Sequence, residues 1–302
     1  MSSDALSTTP QDDVWTIGRL LTWTTEHLKK CGTDNPRLDT EVLLAHACGY
    51  QRIDLYTKFG DVADNEVRTV FRELVRRRAA GTPVAYLVGH REFYSLSFKV
   101  TPDVLIPRPE TEFLVLTLLD LVQRSNIVDR SIDVADVGTG SGVIAVCAAK
   151  HVEKCRVTAV DLSPSALKVA RSNASNHDVS EQIDFVESDL LSALPSEPQF
   201  DFIVSNPPYI TEHEYANLPS DVRDFEPRLA LVAGPNGVEV IERLLVQSSD
   251  RLRENGWLLL EISPMLVEAV CGLIKGNSRF ESPSIVKDLA GLARVVSVRR
   301  SS

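Results

Sequence analysis

The sequence predicts an α/β chain in which a small all-helical N-terminal domain precedes a doubly wound sheet. Apolar positions from Thr16 to about Ala80 recur at helical spacing, without strong strand runs. From about Glu110 onward, short apolar runs alternate regularly with helical stretches, the pattern of a parallel sheet with helices on its faces. A length of 302 residues exceeds one small core and suggests two units of unequal size.

Within the first unit, Ile17, Leu20, Leu21 and Leu28 mark one helix, and Leu38, Val42, Leu43 and Ala45 a second. Asp64 is the expected N-cap of a third, which carries Val67, Val70, Phe71, Leu74 and Val75 and stops at Gly81-Thr82-Pro83. The alternation from Glu92 to Val100 reads as a strand or hairpin. After the proline-rich segment from Pro102 to Pro109 comes a helix from Glu110 to about Gln123. Strands are then expected at Ile132 to Asp136, Arg156 to Asp161, Ile183 to Glu187, Phe200 to Ser205, Trp257 to Ile262, Ser284 to Lys287 and Ala293 to Val298. Helices fill the gaps at Val143 to Lys150, Pro164 to Asn176, Val238 to Leu252 and Leu266 to Ile274. The expected division is a helical domain over 1–85, a linker with a β-hairpin over 86–108 and the α/β domain over 109–302.

Composition narrows the function classes. A net charge of -10 and a pI near 5.2 provide no global positive field for nucleic acid or an anionic membrane surface. Arg72, Arg76, Arg77 and Arg78 cluster locally, which reads as a solvated face near a helix C-terminus. The five cysteines are scattered, with no Cys-x-x-Cys pair and no histidine at ligand spacing, so a reducing compartment and no metal are expected. Met1-Ser2-Ser3-Asp4-Ala5, followed by Asp12 and Asp13, lacks the features of a leader, and no apolar run is long enough to span a bilayer. The expected location is the cytoplasm.

Two motifs carry the chemistry. Gly138-Thr139-Gly140-Ser141-Gly142 sits between the first sheet strand and its helix, where glycine lets the backbone turn and approach a ligand. Its third glycine comes one position before the third glycine of the dinucleotide fingerprint, a spacing closer to that of an S-adenosylmethionine loop. Asp161, at the end of the second strand, is placed to bond ribose hydroxyls, because Ser163 can cap the next helix. Asp189 reads either as an acceptor for an adenine amine, with Leu190 against the ring, or as a turn aspartate. The second motif is Asn206-Pro207-Pro208-Tyr209, directly after the apolar run Phe200 to Ser205. Its prolines stiffen a loop in which Asn206 offers a side-chain oxygen, Pro207 a backbone oxygen and Tyr209 an aromatic face. Two acceptors beside a ring suit a planar target bearing an NH2 group.

With both motifs in place, the chain resembles the bacterial peptide chain release factor N5-glutamine methyltransferases over almost its whole length. The resemblance rests on Asn35 to Asp39, Leu43 to His46, Arg91 to Tyr94, Leu105 to Glu112, the glycine loop, Ser205 to Tyr209, Val222 to Leu231 and Lys287 to Gly291. It implies a Rossmann-like class I methyltransferase domain that moves a methyl group from S-adenosyl-L-methionine to a glutamine amide in a release factor, leaving S-adenosyl-L-homocysteine. Carried over by residue, Gly138, Thr139, Gly140, Ser141, Gly142, Asp161, Asp189, Leu190 and Asn206 would hold the cofactor. Asn206, Pro207, Pro208 and Tyr209 would form the glutamine pocket, with Asn206, Pro207 and Tyr209 catalytic, and the helical domain would recognise the release factor. Arg108-Pro109-Glu110 would either close over the site or serve the linker. Ser263-Pro264-Met265-Leu266 departs from the family's glycine-rich stretch at that point. The alternative is methylation of the exocyclic amine of adenine, with Tyr209 stacked on a flipped base.

Overall fold

The computed structural model describes residues 14–125 and 127–302; residues 1–13, read above for a leader, lie outside the described residues. The chain divides into two compact units between Val88 and Gly89. The first contains α1 (Ile17–Lys30), α2 (Pro36–Cys48), α3 (Asp54–Thr57), α4 (Asn65–Ala79) and α5 (Val84–Val88). Thr16 caps α1 by accepting from the Arg19 N–H, and Asp64 caps α4 by accepting from the Val67 N–H at 2.8 Å, satisfying donors that have no partner within the helix. Pro36 begins α2, where its missing N–H costs nothing, and Gly49 closes it at a φ of 67°.

Leu21, Leu28, Leu43, Leu44, Leu55 and Phe71 form the core of this unit. Leu38 and Val70, which belong to the helical spacings read from sequence, are exposed instead. On α2 the inward positions go partly to polar groups: Asp39 pairs with Arg78 at 2.7 Å, while Glu41 accepts from Arg37, Arg52 and Tyr56 at 2.6, 2.8 and 2.6 Å. Arg78 is therefore nearly buried and does not belong to a solvated face, whereas Arg76 stays outside beside Glu73.

The second unit opens with an antiparallel hairpin, β1 (His90–Phe93) and β2 (Leu96–Lys99). Tyr94 and Ser95 turn it at φ values of 50° and 60°, the left-handed pair that matches hairpin twist. There follow α6 (Thr111–Arg124), β3 (Ile132–Val137), α7 (Val143–His151), β4 (Cys155–Asp161), α8 (Pro164–Asn176), β5 (Ile183–Glu187) and β6 (Phe200–Ser205). A short insertion carries β7 (Ile210–Thr211), α9 (Glu212–Ala216), α10 (Ser220–Arg223) and β8 (Val232–Gly234). The chain then completes the sheet with α11 (Glu239–Arg251), β9 (Leu252–Glu261), α12 (Val267–Lys275), β10 (Ser284–Lys287) and β11 (Ala293–Arg299).

Seven strands lie in the order β10-β11-β9-β6-β3-β4-β5, parallel from β9 to β5, with β11 antiparallel to both neighbours. Val134 pairs with Phe202 on one face and Ala135 with Ile203 on the other, and the two rows feed separate cores. Burial on both faces is why these strands are rich in apolar residues at successive positions and do not alternate strictly. β9 begins five residues earlier than the expected Trp257, through a register shift against β6 that brings Arg253 to Asp133 and Asp201, each at 2.9 Å. From β3 the chain moves outward to β4 and β5, then returns to the opposite side through β6, so the strand order reverses between β3 and β6. Open sheets bind ligands beyond the carboxyl ends of their strands at such a reversal.

Candidate active site at the carboxyl edge

Strand register brings the two predicted motifs together. Val137 lies opposite Val160 and Ser205, Ser205 opposite Leu260, and Asp161 opposite Glu187. The residues that leave the sheet next, Gly138 from β3 and Asn206 from β6, are therefore neighbours although 68 positions separate the paired Val137 and Ser205. A cavity of ≈ 240 Å³ opens there, and Gly138, Thr139, Gly140, Ser141, Asp161, Asp189, Leu190, Asn206 and Pro208 all contribute to its lining.

The glycine loop is shaped from within and held from below. Gly142, at a φ of 82°, starts α7 where a Cβ would come within 3.1 Å of the Ala170 Cβ, so it serves close helix packing. Gly138, at a φ of 72°, faces open space, and a Cβ there would meet nothing within 4 Å. Beneath the loop, the fully buried Asp136 accepts from the Thr139 hydroxyl at 2.6 Å and from the Ala145 N–H at 3.0 Å. Its other oxygen has no hydrogen-bond partner among the described residues, and burial pushes its pKa up to about 7.

Asp161 does not cap α8; Ser163 does, by accepting from the Ala166 N–H. The two Asp161 oxygens instead accept from the Gly140 and Ser163 N–H groups at 2.8 and 2.9 Å, fixing the carboxylate at the cavity wall. Burial raises its pKa, and those backbone donors oppose the rise. Asp189 is exposed and gives one oxygen to Arg243, which also lines the cavity. Leu190 follows at a φ of 54°.

The Asn206 amide donates from Nδ2 to the Thr111 hydroxyl at 3.2 Å. Pro208 lines the cavity beside it, whereas Pro207 is buried and neither Pro207 nor Tyr209 belongs to the lining. Burial, then the charge of Glu261, pushes the Tyr209 phenol up to about 12, which keeps it neutral. Arg108 lines the cavity and pairs at 2.5 Å with Glu226, which also accepts from the Ile106 N–H at 3.2 Å. This joins the two stretches Leu105 to Glu112 and Val222 to Leu231.

Thr111, Glu226, Glu261 and Asp136 are polar residues at the site to which motif reading gave no role. Each is buried, at 5% exposure or less. Glu226 and Thr111 sit inside recognised stretches, so a charged or hydroxyl residue among prolines was the available signal. Among the described residues, no group of three or more His, Cys, Asp or Glu could hold a metal ion, and no helix is long and apolar enough to cross a membrane.

Comparison with known proteins shows the family of the chain. Residues 19–89 match the family model described as the PrmC N-terminal domain, and residues 111–219 match the methyltransferase small domain. The release factor glutamine methyltransferase of Rhodopirellula baltica is 49% identical over 98% of this chain and 100% of its own. That of Koribacter versatilis is 41% identical over 91% and 95%, and that of Chlorobaculum tepidum 40% identical over 95% and 98%. Two solved structures share the fold. The hMettl16 catalytic domain has a TM-score of 0.54 at 18% identity, covering 80% of this chain and 84% of its own. The Thermus 16S rRNA N2 G1207 methyltransferase, in complex with AdoMet and guanosine, has a TM-score of 0.50 at 18% identity, covering 70% and 49%.

Proposed function

The chain belongs to the family of release factor glutamine methyltransferases, and from that footing we propose that its carboxyl-edge cavity binds S-adenosyl-L-methionine beside an amide clamp for the N5 nitrogen of a release factor glutamine. The observation that carries this reading is the pairing of Val137 with Ser205, which sets the glycine loop against Asn206. Open space at Gly138 and the fixed Asp161 carboxylate suit the cofactor's close approach and its ribose hydroxyls. Asp189 and Leu190 are assigned to the adenine end and Thr139, Ser141 and Asn206 to the rest of that cradle.

Bound there, S-adenosyl-L-methionine supplies a methyl group on a sulfonium with a good leaving group. The chain's own task is to aim a weak nucleophile, because delocalisation ties up an amide lone pair. Asn206 Oδ1 would accept one hydrogen of the glutamine amide and the Pro207 carbonyl the other, directing the lone pair at the methyl; as the nitrogen gains the methyl it gives up one proton to water, and S-adenosyl-L-homocysteine is released. Alignment of this kind can be worth ~7 to 11 kcal/mol. Tyr209, held neutral, supplies an apolar ring and no charge to the pocket. We assign recognition of the release factor to the helical domain, drawn over 1–85, and place the reaction in the cytoplasm, where five free cysteines are at home.

Mass spectrometry of a release factor treated with the enzyme and cofactor tests the reading. One added methyl group on a single glutamine is expected, with none on duplex or single-stranded DNA. Methylated adenine together with an unmodified release factor would overturn it in favour of the alternative acceptor.

A further inference from the structure

Asn206 can act as an acceptor only if its amide presents oxygen, and not nitrogen, to the substrate. A threonine hydroxyl with which it bonds does not by itself decide this, since a hydroxyl can donate or accept. The neighbour that decides it lies one strand away. Ser205 pairs with Leu260, so Asn206 and Glu261 leave adjacent parallel strands side by side. Glu261 is 2% exposed, as is Thr111 at the start of α6. The Thr111 oxygen accepts from Asn206 Nδ2 at 3.2 Å, while Glu261 Oε2, in the same buried corner, has no hydrogen-bond partner among the described residues, and the Thr111 hydroxyl lies close enough to Glu261 to oppose the rise of its pKa.

We propose that Glu261 is a positioning residue that acts through Thr111 to fix the orientation of the Asn206 amide, an inference that rests on Asn206 clamping the substrate amide. A hydroxyl has one proton. When the Glu261 carboxylate takes it, the Thr111 oxygen is left as an acceptor, Asn206 must give it an NH2 hydrogen, and Oδ1 faces the substrate. When Glu261 is protonated, it can donate to Thr111, whose own proton is then released to bond Asn206 Oδ1 and compete for the clamp. The arrangement makes acceptor strength at Asn206 depend on the charge of a residue outside the cavity lining.

The ionisable groups around Glu261 are Glu110, Arg294, Arg108 and Tyr209. Arg108 pairs with Glu226, and Arg294 with Asp288 and Glu110, so neither cation is dedicated to Glu261. Burial, the largest influence, pushes Glu261 up to about 7, against the hydroxyl bond from Thr111. The relay thus switches within the working range of an enzyme.

Single-turnover methyl transfer to the release factor at saturating S-adenosyl-L-methionine, followed across pH, tests this. The wild-type rate should rise with pH to a plateau, with a midpoint near 7. E261Q should lose that rise and run roughly ten-fold or more below the wild-type plateau, the loss of a bond to a charged group. Its calorimetric affinity for S-adenosyl-L-methionine should stay within about three-fold, a change of about one RT, because Glu261 lies outside the cavity lining. T111V should behave like E261Q, and T111S, which keeps the hydroxyl, should recover most of what T111V loses; this pair carries the comparison if E261Q does not fold. An E261Q enzyme with the wild-type rate and pH profile, or T111V and T111S that are equally slow, would overturn the relay. A wild type inert toward the release factor would sink the acceptor reading and the relay together, whereas an active wild type beside an indifferent E261Q sinks the relay alone.

Discussion

Asp161 Oδ2 accepts the Gly140 N–H at 2.8 Å, so the carboxylate assigned to ribose also anchors the glycine loop. Asp161→Ala removes both functions. A bond to a charged group is worth ~1.5 to 3 kcal/mol, which corresponds to a ten-fold to hundred-fold loss of cofactor affinity by calorimetry. Unchanged affinity would show that Asp161 serves only the turn into α8.

Asn206→Ala should damage turnover far more than binding. Its lost acceptor orients the nitrogen as charge develops, and removing one such preorganised partner typically costs ~100-fold to 1000-fold in rate. Near-normal single-turnover rates would rule out the amide clamp.

Two glycines of one loop should respond differently. Gly142→Ala forces a left-handed backbone, at ~1 to 2 kcal/mol, and drives a methyl group against Ala170, which adds up to ~1 to 3 kcal/mol of overpacking. Gly138→Ala carries the backbone strain alone but projects into open space beside the cofactor. Urea unfolding should therefore penalise the first more strongly, and calorimetry the second; equal effects on both readouts would remove the distinction between packing and approach.

Asp136 makes stability depend on pH in a defined direction. Its folded-state pKa, about 7, lies above the ordinary aspartate value of ~3.9. Between the two, the folded chain holds a proton that the unfolded chain has released, so this contribution is complete at low pH and is lost as pH rises through about 7. Asp136→Asn titrates in neither state and should flatten that decline in unfolding experiments. Identical slopes for variant and wild type would place the proton elsewhere.

The sheet was legible because its central strands β3 and β6 are almost wholly buried, and because Ser163, as the cap of α8, marks a helix start. Gly138, Asp161 and Asn206 were legible because each ends or directly follows a strand, where residue type and position both point to a ligand. What stayed hidden depends on register and long-range contact. Nothing local shows that Glu261 lies beside Asn206, or that Glu226 reaches back to Arg108. The polar side of α2 was equally hidden, because Asp39 becomes an inward residue only once Arg78 arrives from α4. Helical spacing alone assigned Leu38 to the apolar set, but the core does not use it.

The identity of the acceptor is the central claim, and labelled methyl transfer measures it most directly. Purified enzyme and radiolabelled S-adenosyl-L-methionine are incubated separately with a release factor, the same factor with its one target glutamine replaced, and duplex or single-stranded DNA. Label should enter the intact release factor, vanish with the glutamine and be absent from DNA, since a chain of net charge -10 offers no global attraction to a polyanion. Deleting the helical domain should remove or greatly reduce incorporation. Label on adenine, or full incorporation into the glutamine-substituted factor, would contradict the assignment.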